Sequence, residues 1–290
     1  EYEPLDFGNH EEESGRPDTA QESGLPDTAQ ETGDIAPDPD PWNLKSAADA
    51  RWTSPAELTS NWAGTQLVGR GDPNGDDLDD VLVASTGSWG HYDYSIAAWL
   101  VAGTDEKVQS GELATVAHAT ILTNERTGIP ACNGMEGRLF QGVAFAGDLD
   151  SDGFTDIAIG ATGGYYYVKH SWFPGHVFLF LGPVTGEMDL WRHADAVWES
   201  DWWGAGFGCV VEPGGDLSGD GLPDLLGGWG DARDLSAEVY VVPGPATTGG
   251  NVDDLGVSIL GEDQARLTGQ AKGVGDTDGD GFDDVVAGGY

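Results

Sequence analysis

The 290-residue chain carries 51 acidic against 12 basic side chains, a formal net charge of −39. A surface of that sign is repelled by phosphate backbones, which argues against a nucleic-acid partner. The longest apolar run, Ile96 to Ala102, is far short of the roughly 20 residues a membrane helix needs. With 39% apolar residues, 46 Gly and 11 Trp, the composition fits a large core built from many short strands and turns.

Residues 1–41 form one compositional block, with thirteen acidic residues, one Arg and no aromatic between Phe7 and Trp42. Pro17-Asp-Thr-Ala-Gln-Glu-Ser-Gly24 is followed by the near-copy Pro26-Asp-Thr-Ala-Gln-Glu-Thr-Gly33. Such a segment buries too little apolar surface to offset its ordering entropy, so a disordered acidic linker is expected there. It reads equally well as a tether and as a solvated tail. Residues 42–290 are expected to fold. Leu44 to Leu58 could hold a short helix, limited by Pro55.

From about Trp62 the chain repeats. Four loops share one spacing: Asp72, Asn74, Asp76, Leu78, Asp80; Asp148, Asp150, Asp152, Phe154, Asp156; Asp216, Ser218, Asp220, Leu222, Asp224; and Asp276, Asp278, Asp280, Phe282, Asp284. These are positions 1, 3, 5, 7 and 9 of each loop, and a Gly precedes every position 1. An apolar run enters each loop (Gly142 to Gly147) and another leaves it: Val81–Ala84, Ile157–Gly160, Leu225–Gly228, Val285–Gly288. A third (Ile96–Val101, Val177–Leu181, Val239–Val242) and a fourth (Ala119–Leu122, Ala196–Trp198, Val257–Leu260) complete the first three units. Four short strands per repeat is the pattern of a β-propeller blade, giving about three complete blades and part of a fourth. The chain stops at Tyr290 inside a repeat, so it reads as a fragment of a longer protein.

Calcium takes six to eight oxygens at about 2.3–2.6 Å, and alternating acidic side chains on a tight loop aim several oxygens at one point. Position 7 would add a backbone carbonyl, and Gly at position 6 permits the sharp turn. An EF-hand needs Glu at position 12, but Val83, Ile159, Gly227 and Ala287 stand there, and strands rather than helices follow. Up to four Ca²⁺ are therefore expected. Asp77 replaces the position-6 Gly of the first loop, and Asn74 and Ser218 are neutral at position 3, so those loops read as weaker.

With Phe207-Gly208 before the third loop, Gly160-Ala161 after the second, and the turns at Leu181-Gly-Pro183 and Pro243-Gly-Pro245, the chain resembles the FG-GAP repeat of the integrin alpha-subunit propeller and its bacterial relatives. The resemblance covers about Trp62 to Tyr290. It implies a seven-bladed propeller in the whole protein, with calcium held in blade hairpins by the aspartates at positions 1, 3, 5 and 9. No DxSxS run of the inserted adhesion domain is present.

Other signals are weaker. Arg70-Gly71-Asp72 spells an integrin-ligand tripeptide, but Asp72 is position 1 of a calcium loop. Trp191, Trp198, Trp202, Trp203 and Phe207 read as packing between blades in preference to a sugar platform. Tyr165–Tyr167 with Trp172 lies in a loop-like stretch and is the better candidate for surface recognition. Cys132 and Cys209 form no metal motif and read as free thiols in preference to a bridge. No acid, base or nucleophile set is recognisable. The expected function is a calcium-binding extracellular or cell-surface recognition or scaffold module with a protein or glycan partner. The alternatives are the propeller part of a secreted polysaccharide-active enzyme, and a structural spacer.

Overall fold

A computed structural model of the chain describes residues 50–55, 62–86, 97–122, 139–161, 164–166, 171–173, 175–201, 207–208, 210–228, 238–255, 257–260 and 267–289. All lie in the second of two units, Ala48–Tyr290. The expected linker at 1–41, both cysteines, Trp202, Trp203 and Tyr167 lie outside the described residues.

Strand β1 (Trp52–Thr53) precedes the first blade, which contains β2 (Trp62–Gly71), β3 (Asp80–Thr86) and β4 (Ala97–Val101). After β5 (Gly111–Glu112) and one helical turn at Leu113–Val116, β6 (Ala119–Leu122) completes it. The second blade has β7 (Leu139–Gly147) and β8 (Asp156–Ala161), then a small hairpin of β9 (Gly164–Tyr166) and β10 (Ser171–Phe173). It continues with β11 (His176–Phe180), β12 (Gly186–Asp189) and β13 (Ala196–Glu199). The third follows with β14 (Val210–Gly215), β15 (Asp224–Gly228), β16 (Glu238–Val242), β17 (Gly250–Asn251) and β18 (Ser258–Leu260). Of the fourth, β19 (Leu267–Gly275) pairs antiparallel with β20 (Asp284–Gly289). The described residues are thus nearly all β, arranged as the blades of a propeller.

Two expectations change. The possible helix across 44–58 gives way at Trp52–Thr53 to a strand paired with Gly111–Glu112, and Trp52 packs beneath the first blade. On either side of residues 167–170, Gly164–Tyr166 pairs antiparallel with Ser171–Phe173, with Trp172 opposite Tyr165, where a loop was expected. The structure also adds a fifth strand to two blades. β12, from the second unit, runs parallel to β6, and β17, from the third, runs parallel to β13, so each later unit clasps the outer edge of the one before.

Strand alternation sends successive side chains to opposite faces, and the first three blades bury both, while the fourth leaves Val286 60% exposed on its outer face. Leu82, Leu100 and Ile121 meet Phe145, Ile157, Phe178 and Phe180 between the first two blades. Ala144, Ala158, Val177 and Leu179 meet Val211, Leu225 and Val242 between the second and third. Leu226, Val239 and Val241 face Ala271, Val285 and Ala287 of the fourth. Each fully buried large side chain contributes about 1.5–3 kcal/mol, and these interfaces, not the individual sheets, hold the array together.

Phe207-Gly208 sits in the second interface. Phe207 is buried and meets Tyr240 edge-on at 5.8 Å. Gly208 has φ +85, and a Cβ on Gly160 would lie 1.9 Å from its carbonyl oxygen, so only glycine allows this approach. Trp198 is buried in the same core, and Trp191 packs edge-on against Phe178 at 4.7 Å. These aromatics therefore serve packing.

Candidate metal centres in four acidic loops

Each acidic loop closes the hairpin between a blade's first two strands. A register shift precedes each loop, between Gly69 and Gly71, Phe145 and Gly147, Pro213 and Gly215, and Gly273 and Gly275. These bulges turn the strand end so that position 1 leaves the sheet.

Position 1 organises the loop through its carboxylate. Asp72 accepts N–H bonds from Gly75 (2.7 Å), Asp76 (3.0 Å) and Asp77 (2.8 Å). Asp216 accepts from Gly219, Asp220 and Gly221, and Asp276 from Gly279, Asp280 and Gly281. Asp148 accepts from Asp152 and Gly153. Position 6 takes positive φ in all four: 65 at Asp77, 94 at Gly153, 90 at Gly221 and 96 at Gly281. Asp77 thus adopts the turn expected of Gly, at a cost of roughly 1 kcal/mol. The Asp72 carboxylate of Arg70-Gly71-Asp72 is thus engaged by three N–H groups of its own loop.

Position 9 is the buried end. Asp80, Asp156 and Asp224 are each 0% exposed. Their carboxylates accept a bond from a glycine N–H at the end of the blade's third strand: Gly103 (2.7 Å), Gly182 (2.9 Å) and Gly244 (2.9 Å). Sequence reasoning did not assign these glycines to the site. The signal was a Gly 20–26 residues after each position-9 Asp, with Pro following in two of three. A Cβ there would strike the loop, for instance 2.5 Å from the Asp79 carbonyl oxygen at Gly103. Burial, the largest cause, pushes the Asp80 and Asp156 carboxyls up to about 6. Partly buried Asp284 is instead held below the usual range by bonds from the Thr277 hydroxyl and N–H.

Positions 1, 3 and 9 converge. Asp148, Asp150 and Asp156 present carboxylate oxygens all within 4.8 Å of one another, as do Asp276, Asp278 and Asp284. Asp150 is pushed upward by burial and by neighbouring Asp152. In the first loop, neutral Asn74 donates its Nδ2 to Asp80 Oδ2 at 2.8 Å. In the third, the Ser218 N–H bonds Asp224 Oδ2 at 2.7 Å. Position 5 stands apart: Asp76, Asp152, Asp220 and Asp280 each accept the N–H of position 7 through Oδ1. The donor set is all oxygen, which fits a hard divalent cation and not a thiolate-seeking metal.

No helix among the described residues is long and apolar enough to cross a membrane. The FG-GAP repeat family matches residues 141–171, which contain the second loop and the strands around it. Integrin alpha-5 of Xenopus laevis is 40% identical over 98 residues, covering 33% of this chain and 9% of that protein. Integrin alpha-V of Gallus gallus is 28% identical over 181 residues, covering 58% of this chain and 16% of that protein. The chain thus spans a small part of the length of these relatives. Repeated acidic hairpins on propeller blades, the FG-GAP match over residues 141–171 and these relatives agree: the chain carries an FG-GAP repeat and is similar to part of the integrin alpha subunits.

Proposed function

We propose that this chain is a calcium-stabilised recognition module of an adhesion-like protein, working outside the cell or at its surface on a protein or glycan partner. The observation that carries the calcium reading is the convergence of three carboxylates, from positions 1, 3 and 9, in the second and fourth loops. Like charges that close repel unless a cation or protons sit among them. The first and third loops carry a neutral side chain at position 3 that donates to position 9 instead, Asn74 Nδ2 to Asp80 and the Ser218 hydroxyl to Asp224. Asp72, Asp148, Asp216 and Asp276 at position 1, with the position-3 and position-9 groups, would hold the ions. The position-5 aspartates would join after turning from the position-7 N–H, and the carbonyls of Leu78, Phe154, Leu222 and Phe282 would supply position 7.

The bound ion supplies charge neutralisation and stiffening, with no chemistry on a substrate. Loops pinned in this way fix the blade hairpins, and recognition would use the connections they position. Equilibrium dialysis of chelator-stripped protein is expected to show calcium uptake at about 10⁻⁴–10⁻³ M, the range of extracellular modules. Absence of uptake at 10 mM, roughly tenfold above that range, would remove the reading.

A further inference from the structure

The acidic loops touch one another, and the contacts differ from pair to pair. Asp72, position 1 of the first loop, donates its N–H to the Thr155 hydroxyl of the second (3.1 Å) and accepts the Thr155 N–H on its carbonyl (3.1 Å). Thr155 is position 8, between the position-7 carbonyl and the position-9 carboxylate. The third and fourth loops repeat the link. Asp216 donates its N–H to Asp283 Oδ2 (2.8 Å) and accepts the Asp283 N–H (2.9 Å). A packing match accompanies each link: Gly at position 4 lies under Phe at position 7 of the next loop, Gly75 under Phe154 and Gly219 under Phe282.

Between the second and third loops all these elements change. Position 8 is Pro223, which has no N–H to donate and no side-chain acceptor. It presents ring carbons to Gly147. Position 7 is Leu222 instead of Phe, and position 4 is Ser151 instead of Gly.

We propose that the four loops act as two coupled pairs, first with second and third with fourth, and that Pro223 separates them. This rests on the calcium reading above. An ion that orders positions 7 and 9 of the second loop fixes Thr155 between them. Thr155 in turn fixes the backbone of Asp72, the leading ligand of the first loop. Ordering once for two ions makes binding within a pair positively cooperative.

Calcium titration of the whole ¹⁵N-labelled chain tests this, because the amides of Gly75, Gly153, Gly221 and Gly281 each belong to one loop. Asp148→Ala is expected to weaken the Gly75 midpoint about five-fold or more, the lower end of typical coupling. The midpoints of Gly221 and Gly281 should stay within about two-fold of the parent, below that threshold. Thr155→Val, which keeps every ligand and removes the hydroxyl acceptor, should move Gly75 in the same direction with the melting curve unchanged in shape. If no amide of the parent responds to calcium, the calcium reading itself fails and the coupling with it. If all four respond but Gly75 keeps its midpoint in both variants, the loops bind and are independent. A shift of Gly221 equal to that of Gly75 would show that Pro223 separates nothing.

Discussion

Replacing Gly182 with Ala probes the junction between blade and loop directly. The Gly182 N–H donates to Asp156 Oδ1 at 2.9 Å, and an added Cβ would lie 2.1 Å from the Cβ of Phe154. Carbon atoms pack comfortably at about 3.5–4.0 Å, so the backbone must part by more than an ångström. Phe154 cannot simply retreat. Its ring lies over Gly75, and its N–H is held by Asp152 Oδ1 at 2.9 Å. Overpacking of this kind costs about 1–3 kcal/mol, and weakening a hydrogen bond to a charged group adds about 1.5–3 kcal/mol. A combined loss of about 2.5–6 kcal/mol lowers Tm by about 5–24 °C in a domain of this size. The control is Gly69→Ala, where the nearest atom to the new Cβ is the Asp80 carbonyl oxygen at 3.9 Å. Calorimetric melting in chelator and in calcium measures both variants. Gly182→Ala melting within about 2 °C of the parent, or Gly69→Ala falling as far, would refute the reasoning.

Calcium removal is expected to lower Tm, since an ion that binds only the folded state stabilises it; identical melting curves with and without chelator would contradict this. Among position-1 substitutions, Asp148→Ala is expected to reduce calcium uptake most, because the second loop gathers three carboxylates within a complete blade. Asp72→Ala and Asp216→Ala should cost as much or more stability in chelator, because each frees three N–H groups against two at Asp148. Equal affinity losses in dialysis would overturn the ranking. Asp80 and Asp156, raised to about 6 from 3.8, keep protons in the folded state that the unfolded chain releases. The calcium-free protein should therefore gain stability as pH falls from 7 towards 4, on the order of 1–2 kcal/mol per residue. Urea midpoints against pH in chelator check this, and Asp156→Asn should flatten the slope. Limited proteolysis is expected to remove residues 1–41 first; survival of that segment while the blades are digested would contradict a disordered linker.

The blades were legible because their strands are short apolar runs separated by loops of fixed spacing, as at Ile157–Gly160 and Val177–Leu181. The clasping strands were not. Gly186–Asp189 and Gly250–Asn251 are short and mostly polar, with Met188 their one apolar side chain packed on the core, so their pairing follows chiefly from the free edges of β6 and β13. The spacing also treated positions 1, 3, 5 and 9 as equals. Local backbone chemistry divides them: position 5 is drawn to the N–H two residues on, while position 9 is drawn inward to a glycine on another strand. The roles of Gly103, Gly182 and Gly244, and of Thr155 and Asp283, depend on neighbours 20 or more residues away and emerge only once the blades are stacked.

The central claim is that these loops hold calcium, and a crystal structure of the chain grown in millimolar calcium tests it most directly. The expected result is a spherical density peak in the second loop, with oxygens of Asp148, Asp150, Asp152, Asp156 and the Phe154 carbonyl at about 2.3–2.6 Å. The position-5 side chain should have turned from the Phe154 N–H towards the ion. A second loop that keeps its present hydrogen bonds in calcium, and holds only water at hydrogen-bond distances, would contradict the account.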